Sequence, residues 1–146
     1  MIVLDASVAL KLLLPEADSA AALRLLDNPI VLVAPDILPV ELAAAIAKYH
    51  RRRLITLDEA RASAAAAGRV VTDLHPSQDL LAPAFELSLL LGHGVYDCLY
   101  LVLARRLSAP LLTADRRMHG KAERAGLAGQ VHLLDGLDRL LAGIST

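Results

Sequence analysis

Four acids stand in this sequence where acids need an explanation: Asp5, Glu41, Asp97 and Asp115. Asp5 directly follows the apolar run Ile2-Val3-Leu4, and Asp115 follows Leu111-Leu112-Thr113 with one residue between. Ligands of open α/β sheets bind beyond the carboxyl ends of the strands, which is where both acids would project. Asp97 lies in the stretch Val95 to Ala104, which carries no other formal charge. An ionised carboxylate among apolar neighbours is costly unless it is paired or metal-bound. Glu41 stands beside Leu42 and one turn after Leu38, close to the apolar stripe of its helix. Taken singly, each acid has a plainer explanation as a helix cap or a first-turn acid favoured by the helix dipole. Taken together they imply chemistry. Two carboxylates about 5 Å apart repel by roughly 3 kcal/mol at an effective dielectric of 20, so four in one pocket require protons or a cation. Oxygen donors without thiolates or clustered imidazoles select a hard ion, Mg²⁺ or Mn²⁺. Such ions bind phosphate oxygens and lower the pKa of water, which points to hydrolysis of phosphodiesters.

The elements that would position these acids follow from periodicity. Ile2 to Leu4 is a short buried strand, and Asp5-Ala6-Ser7 turns the chain into a helix that ends near Pro15. Asp18 to Leu26 is a second helix, stopped by Asn28-Pro29, and Ile30 to Val33 a second strand, closed by Pro35. Leu38 to Arg52 is a helix with its apolar stripe at Leu38, Leu42, Ala45, Ile46 and Tyr49. Thr56 and Glu59 form a capping-box pattern opening another helix, which Gly68 ends. Val70-Val71 begins a third strand, a helix runs from Gln78 to Leu91 with Gly92 as its stop, and Val95 to Leu107 is the most apolar helix. Pro110 to Thr113 and Val131 to Leu134 supply the fourth and fifth strands. Alternating strands and helices imply an α/β fold of three layers, α/β/α. Its central sheet would be mainly parallel, with about five strands.

The bulk properties fit that scheme. A chain of 146 residues suits one domain, here residues 1–146, and is long enough to bury a core. Hydrophobic residues make up 55% and aromatics only 3%, so Leu, Val, Ile and Ala must build that core. The mean hydropathy of +0.49 leaves apolar groups at the surface and suggests self-association or a partner. A net charge of −1 gives no global basic field, so a polyanion would have to be held by a local patch or through metal. The single cysteine, Cys98, excludes an intrachain disulfide and fits a cytoplasmic setting. Charges interrupt every apolar run, so no membrane span is expected, and the amino terminus lacks the basic start of a signal peptide.

The ordered set Asp5-Ala6-Ser7, Glu41, Tyr96-Asp97-Cys98-Leu99-Tyr100-Leu101 and Thr113-Ala114-Asp115 resembles the PIN-domain family. Within it, the chain looks most like the VapC-type ribonuclease toxins of prokaryotic toxin–antitoxin pairs. The likeness spans essentially the whole chain. It implies that Asp5, Glu41, Asp97 and Asp115 hold metal, with Ser7 and Thr113 as hydroxyls that steady the acids or a water. It further implies cleavage of RNA by a Mg²⁺-activated water, a homodimer, and a small VapB-like antitoxin that plugs the acidic site. Some relatives carry a further acid two residues after the one matching Asp115; here that residue is Arg117.

Arg117, Lys121 and Arg124 fall on one helical face after Asp115, where they would either hold an RNA backbone or be merely solvated. The basic run Lys48, Arg51, Arg52, Arg53 suits a helix carboxyl end. The five histidines make no zinc-like spacing, Gly92-His93-Gly94 reads as a helix stop, and Cys98 as a small core residue. A hydrolase built on Ser7 is excluded because its nucleophile elbow is missing. A phosphoryl-accepting receiver domain fits poorly, since Asp5 has no acidic partner and no lysine follows Leu134. A non-catalytic module that keeps the fold and only binds RNA or protein is the remaining alternative.

Overall fold

The computed structural model describes residues 1–144. Five parallel strands form one sheet in the order β3-β2-β1-β4-β5. They are β1 (Ile2–Leu4), β2 (Leu32–Pro35), β3 (Asp73–His75), β4 (Leu111–Thr113) and β5 (Val131–Leu133). The helices are α1 (Ala6–Leu13), α2 (Ser19–Leu23), α3 (Leu38–Arg51), α4 (Leu57–Ala66), α5 (Leu81–Leu91), α6 (Val95–Leu107), α7 (Arg116–Arg124) and α8 (Leu137–Ile144). The three inner strands are buried along their whole length, as near-continuous Leu/Val/Ile runs require when both faces are covered.

The strand order sets the layers. The chain steps outward from β1 to β2 to β3, then returns across the sheet to β4 on the other side of β1. With right-handed crossovers, that reversal puts α1 to α4 over one face and α5 to α7 over the other. Contacts agree: α1 packs on α3 and α3 on α4, whereas α5 packs on α6 and α6 on β1, β2 and β4. The change of direction lies between β1 and β4, so a crevice opens beyond their carboxyl ends.

Local chemistry explains most boundaries. The Thr56–Glu59 capping box forms, with Glu59 N–H donating to Thr56 Oγ1 at 3.1 Å and Thr56 N–H to Glu59 Oε2 at 2.9 Å. Gly92 ends α5 in the left-handed region at φ +56°, where an L side chain is strained. Several expected boundaries shift. The second strand is Leu32–Pro35 rather than Ile30–Val33, with Pro35 inside it as the last residue. The third strand is not Val70-Val71 but Asp73–His75. Val71 is a core residue just ahead of that strand, and the sheet begins with Thr72 N–H donating to Leu32 O at 2.7 Å. The second helix breaks into α2 and a 3₁₀ turn, Arg24–Asp27, and a 3₁₀ turn at Ser77–Asp79 precedes α5. The helix α8, which buries Leu137 and Leu140, was not anticipated.

No single helix among the described residues is long and apolar enough to cross a membrane. The bent pair α5–α6 is apolar overall, but α6 is the buried helix under the sheet.

Candidate functional site

Each of the four acids sits at the start of a helix, and the helices α1, α3, α6 and α7 all begin at the carboxyl edge of the sheet. Asp5 joins β1 to α1, Glu41 is in the first turn of α3, Asp97 in the first turn of α6, and Asp115 joins β4 to α7. The positive ends of four helix dipoles therefore converge on the acids and offset part of their repulsion.

The plain capping role is met at Asp115 and not at Asp5. Asp115 Oδ1 accepts from Arg117 N–H at 2.8 Å and Met118 N–H at 3.1 Å, which leaves its second oxygen uncommitted by α7. Asp5 makes no side-chain cap. Its Oδ2 instead accepts from Thr113 Oγ1 at 2.8 Å and, in a short contact, from Ser7 Oγ. The two hydroxyls lie 3.3 Å apart. Each is itself fixed by backbone: Ala114 N–H donates to Ser7 Oγ at 2.9 Å and Asp115 N–H to Thr113 Oγ1 at 3.0 Å. Ser7 and Thr113 thus join β1–α1 to β4–α7 across the crevice. Asp5 is 4% exposed and Thr113 fully buried.

Glu41 reaches the same pocket from α3. Its Oε1 accepts from Tyr100 Oη at 2.7 Å, a residue of α6 buried in the core. The sequence shows Tyr100 within the motif around Asp97 but assigns its hydroxyl no role, since its partner lies on another helix. Burial pushes Glu41 up to about 7 against the opposing Tyr100 hydrogen bond, and the nearby charges of Asp5 and Asp97 push in the same direction. Burial likewise raises Asp5, the Ser7 and Thr113 hydrogen bonds oppose it, and Asp97 adds repulsion. Asp5, Glu41 and Asp97 therefore feel one another directly.

Asp97 completes the link to Asp115 through a residue the sequence did not single out. His93 Nε2 is 2.6 Å from Asp97 Oδ2, one helical turn away, and its side chain is 8% exposed. One ligand atom each from His93, Asp97 and Asp115 lies within 4.8 Å of the others. The Gly92-His93-Gly94 run does stop α5, which is why its histidine looked incidental; only the position of α7 beside it gives it a neighbour in Asp115. All four expected acids are thus gathered at one end of the sheet. Among the described residues, none of them forms an ion pair with Lys or Arg. A set of carboxylates gathered without a Lys or Arg partner, two of them, Asp5 and Glu41, with raised proton affinity, fits a divalent ion.

The three cations of α7 diverge. Lys121 donates in a short contact to the Gly92 carbonyl, clasping α7 to the α5–α6 turn. Arg117 is exposed beside Asp115, and Arg124 lines a cavity with Leu90, Leu91, Lys121 and Ala125. Cys98 is buried in the core, as expected.

The family described as PIN domain matches residues 2–124 of the chain. Ribonuclease VapC3 of Pyrobaculum aerophilum is 34% identical over 122 residues, which is 82% of this chain and 93% of that protein. Ribonuclease VapC1 of Mycobacterium tuberculosis is 31% identical over 134 residues, 90% of this chain and 96% of its own length. Among solved structures, PAE2754 from Pyrobaculum aerophilum matches with a TM-score of 0.65 at 20% identity, over 97% of this chain and 96% of that one. The sarcin–ricin loop cleaving toxin VapC20 of Mycobacterium tuberculosis matches with a TM-score of 0.63 at 22% identity, over 82% and 94%. These two likenesses bear on the fold alone.

Proposed function

Because this chain belongs to the PIN-domain family, we propose that it is a divalent-metal-dependent endoribonuclease of the toxin type, hydrolysing RNA phosphodiester bonds. The observation that carries this is the gathering of Asp5, Glu41, Asp97 and Asp115 with no Lys or Arg paired to them among the described residues. The ribonuclease names of the two relatives above 30% identity support the substrate class.

The four acids would hold the ion, Mg²⁺ or Mn²⁺. When bound, such an ion lowers the pKa of water and shields the charge of a phosphodiester. The protein's own part is to fix the donors. Ser7 and Thr113 pin one oxygen of Asp5, α7 pins one oxygen of Asp115, and Tyr100 pins one oxygen of Glu41. Each of these three carboxylates is thereby held through one oxygen, as outer hydrogen bonds hold ligands in metal sites generally. Arg117, exposed two residues beyond Asp115, would meet a phosphate, with Arg124 farther along α7; Lys121, clasped to Gly92, would contribute its charge from a fixed position.

Two partners go with this function. A small VapB-like antitoxin would silence the enzyme by placing a basic group among the acids. A second copy of the chain would cover the apolar stripe Leu81, Phe85 and Leu89, which recurs every four residues on the outer side of α5 at 50% exposure or more. The cytoplasm, where RNA and antitoxin are found together, is the setting for such an activity.

The test is cleavage of RNA by the purified, inhibitor-free chain with Mg²⁺, and its loss on adding EDTA. Asp97→Asn or Asp5→Asn should lower cleavage by more than the roughly 10- to 100-fold that loss of an outer hydrogen-bond partner costs. The same variants should abolish growth arrest on expression while keeping the circular dichroism of the parent. A folded chain that neither binds divalent ions nor cuts RNA would instead be a non-catalytic RNA- or protein-binding module.

A further inference from the structure

Building on the divalent-ion site proposed above, we propose that His93 is a direct metal ligand. With Asp97 and Asp115 it would form a mixed nitrogen–oxygen position that takes a first-row transition ion in preference to Mg²⁺. The spacing is the first support. His93 Nε2 and Asp97 Oδ2 are 2.6 Å apart, and these atoms and one Asp115 oxygen all lie within 4.8 Å of one another. Ligands on an octahedral ion with bonds of ~2.1 Å sit about 3 Å apart when adjacent and about 4.2 Å when opposite. The three groups lie within reach of one ion; on binding, the His93–Asp97 hydrogen bond would open and Nε2, with the ring proton on Nδ1, would turn its lone pair to the ion.

The imidazole is also held in place. His93 N–H donates to Ser88 O at 3.2 Å, and Ser88 Oγ donates back to His93 O at 2.5 Å. Lys121 clasps the adjoining Gly92 carbonyl from α7, the helix that Asp115 opens. The turn carrying His93 is therefore tied both to α5 behind it and to α7 beside it, and a ligand on so constrained a turn loses little freedom when it binds.

The neighbouring sequence needs such a donor. Two residues beyond Asp115 stands Arg117, whose guanidinium has no lone pair to offer. The Asp97–Asp115 side of the pocket gains its third donor from the α5–α6 turn instead. Mg²⁺ demands oxygen ligands, whereas imidazole suits the transition metals, so the nitrogen changes which ion is preferred.

Mn²⁺ is the probe. Pulsed electron paramagnetic resonance of the wild-type chain with one equivalent of Mn²⁺ should show coupling to a directly bound ¹⁴N nucleus. His93→Gln keeps an amide able to hydrogen-bond Asp97 and should abolish that coupling. By calorimetry it should weaken Mn²⁺ binding about tenfold or more, with Mg²⁺ binding within about twofold of wild type. Absence of nitrogen coupling in the wild type overturns the assignment without recourse to any variant. Equal loss of Mn²⁺ and Mg²⁺ binding in His93→Gln also overturns it, since His93 would then only orient Asp97. RNA cleavage with Mg²⁺ but no nitrogen coupling refutes the ligand and leaves the nuclease standing; coupling without cleavage does the reverse.

Discussion

Asp115 caps the backbone of its own helix, while Asp5 makes no side-chain cap and is held by hydroxyls from two segments more than a hundred residues apart. That difference makes Ser7 and Thr113 sensitive points. Removing Oγ from either leaves a 4%-exposed carboxylate short of a donor, and we expect Ser7→Ala or Thr113→Val to weaken Mg²⁺ binding roughly 10- to 100-fold by calorimetry. Tyr100→Phe keeps the buried ring and deletes one hydrogen bond to Glu41, so divalent binding should fall while the cooperative melt is kept. The pH dependence follows from the same acids. Glu41 and Asp5 both hold a proton more tightly folded than unfolded, so metal-free stability is full at low pH. It is lost as pH rises from Glu41's ordinary 4.5 through about 7. Melting temperature in EDTA should therefore decline across that window, and Glu41→Gln should flatten the decline; a melt that rises with pH there would contradict it. At this scale the acids were legible because each occupies a position that strand ends or apolar surroundings make conspicuous. Tyr100 and His93 were less so: the partner of Tyr100 lies 59 residues away in α3, and although Asp97 is one turn from His93, its second neighbour, Asp115, is brought beside it only by the fold.

At the scale of elements, the inner sheet and the long helices followed from apolar runs, and the edges did not. β3 carries Asp73 and His75 at the rim of the sheet, half exposed, so the apolar signal fell instead on Val70-Val71 just before it. Pro35, taken as a stop, lies within β2 as its final residue, because its missing N–H matters least at a strand end. After Leu134 a 3₁₀ turn, Leu134–Gly136, intervenes before α8, whose place is set by burial of Leu137 and Leu140 against the rest of the fold. Turn chemistry was read correctly at Gly92, where φ +56° favours glycine. Gly92→Ala should cost about 1 kcal/mol in chemical denaturation, since nothing crowds a Cβ there and only the backbone conformation resists. Thr56→Ala should cost a similar ~1 kcal/mol by breaking the capping box at the start of α4, with divalent binding unchanged.

For the molecule as a whole, the site is built where the sheet changes direction, and the parts that meet there belong to four separate helix starts. An ion bound only by the folded chain at 100 times its Kd adds about 2.7 kcal/mol. For a domain of this size that should raise the melting temperature by roughly 5–10 °C over the EDTA-treated protein. Asp97→Asn should erase most of that rise, and a rise of equal size in the variant would place the ion elsewhere. The sheet order has one more outcome. β4 lies between β1 and β5, far along the chain from β1, yet it carries Thr113 and leads into Asp115. The pocket therefore draws on both ends of this pairing and is incomplete unless β4 lies beside β1. Under the ribonuclease reading proposed above, any fragment ending before β4 should cut no RNA, since it lacks Thr113 and Asp115.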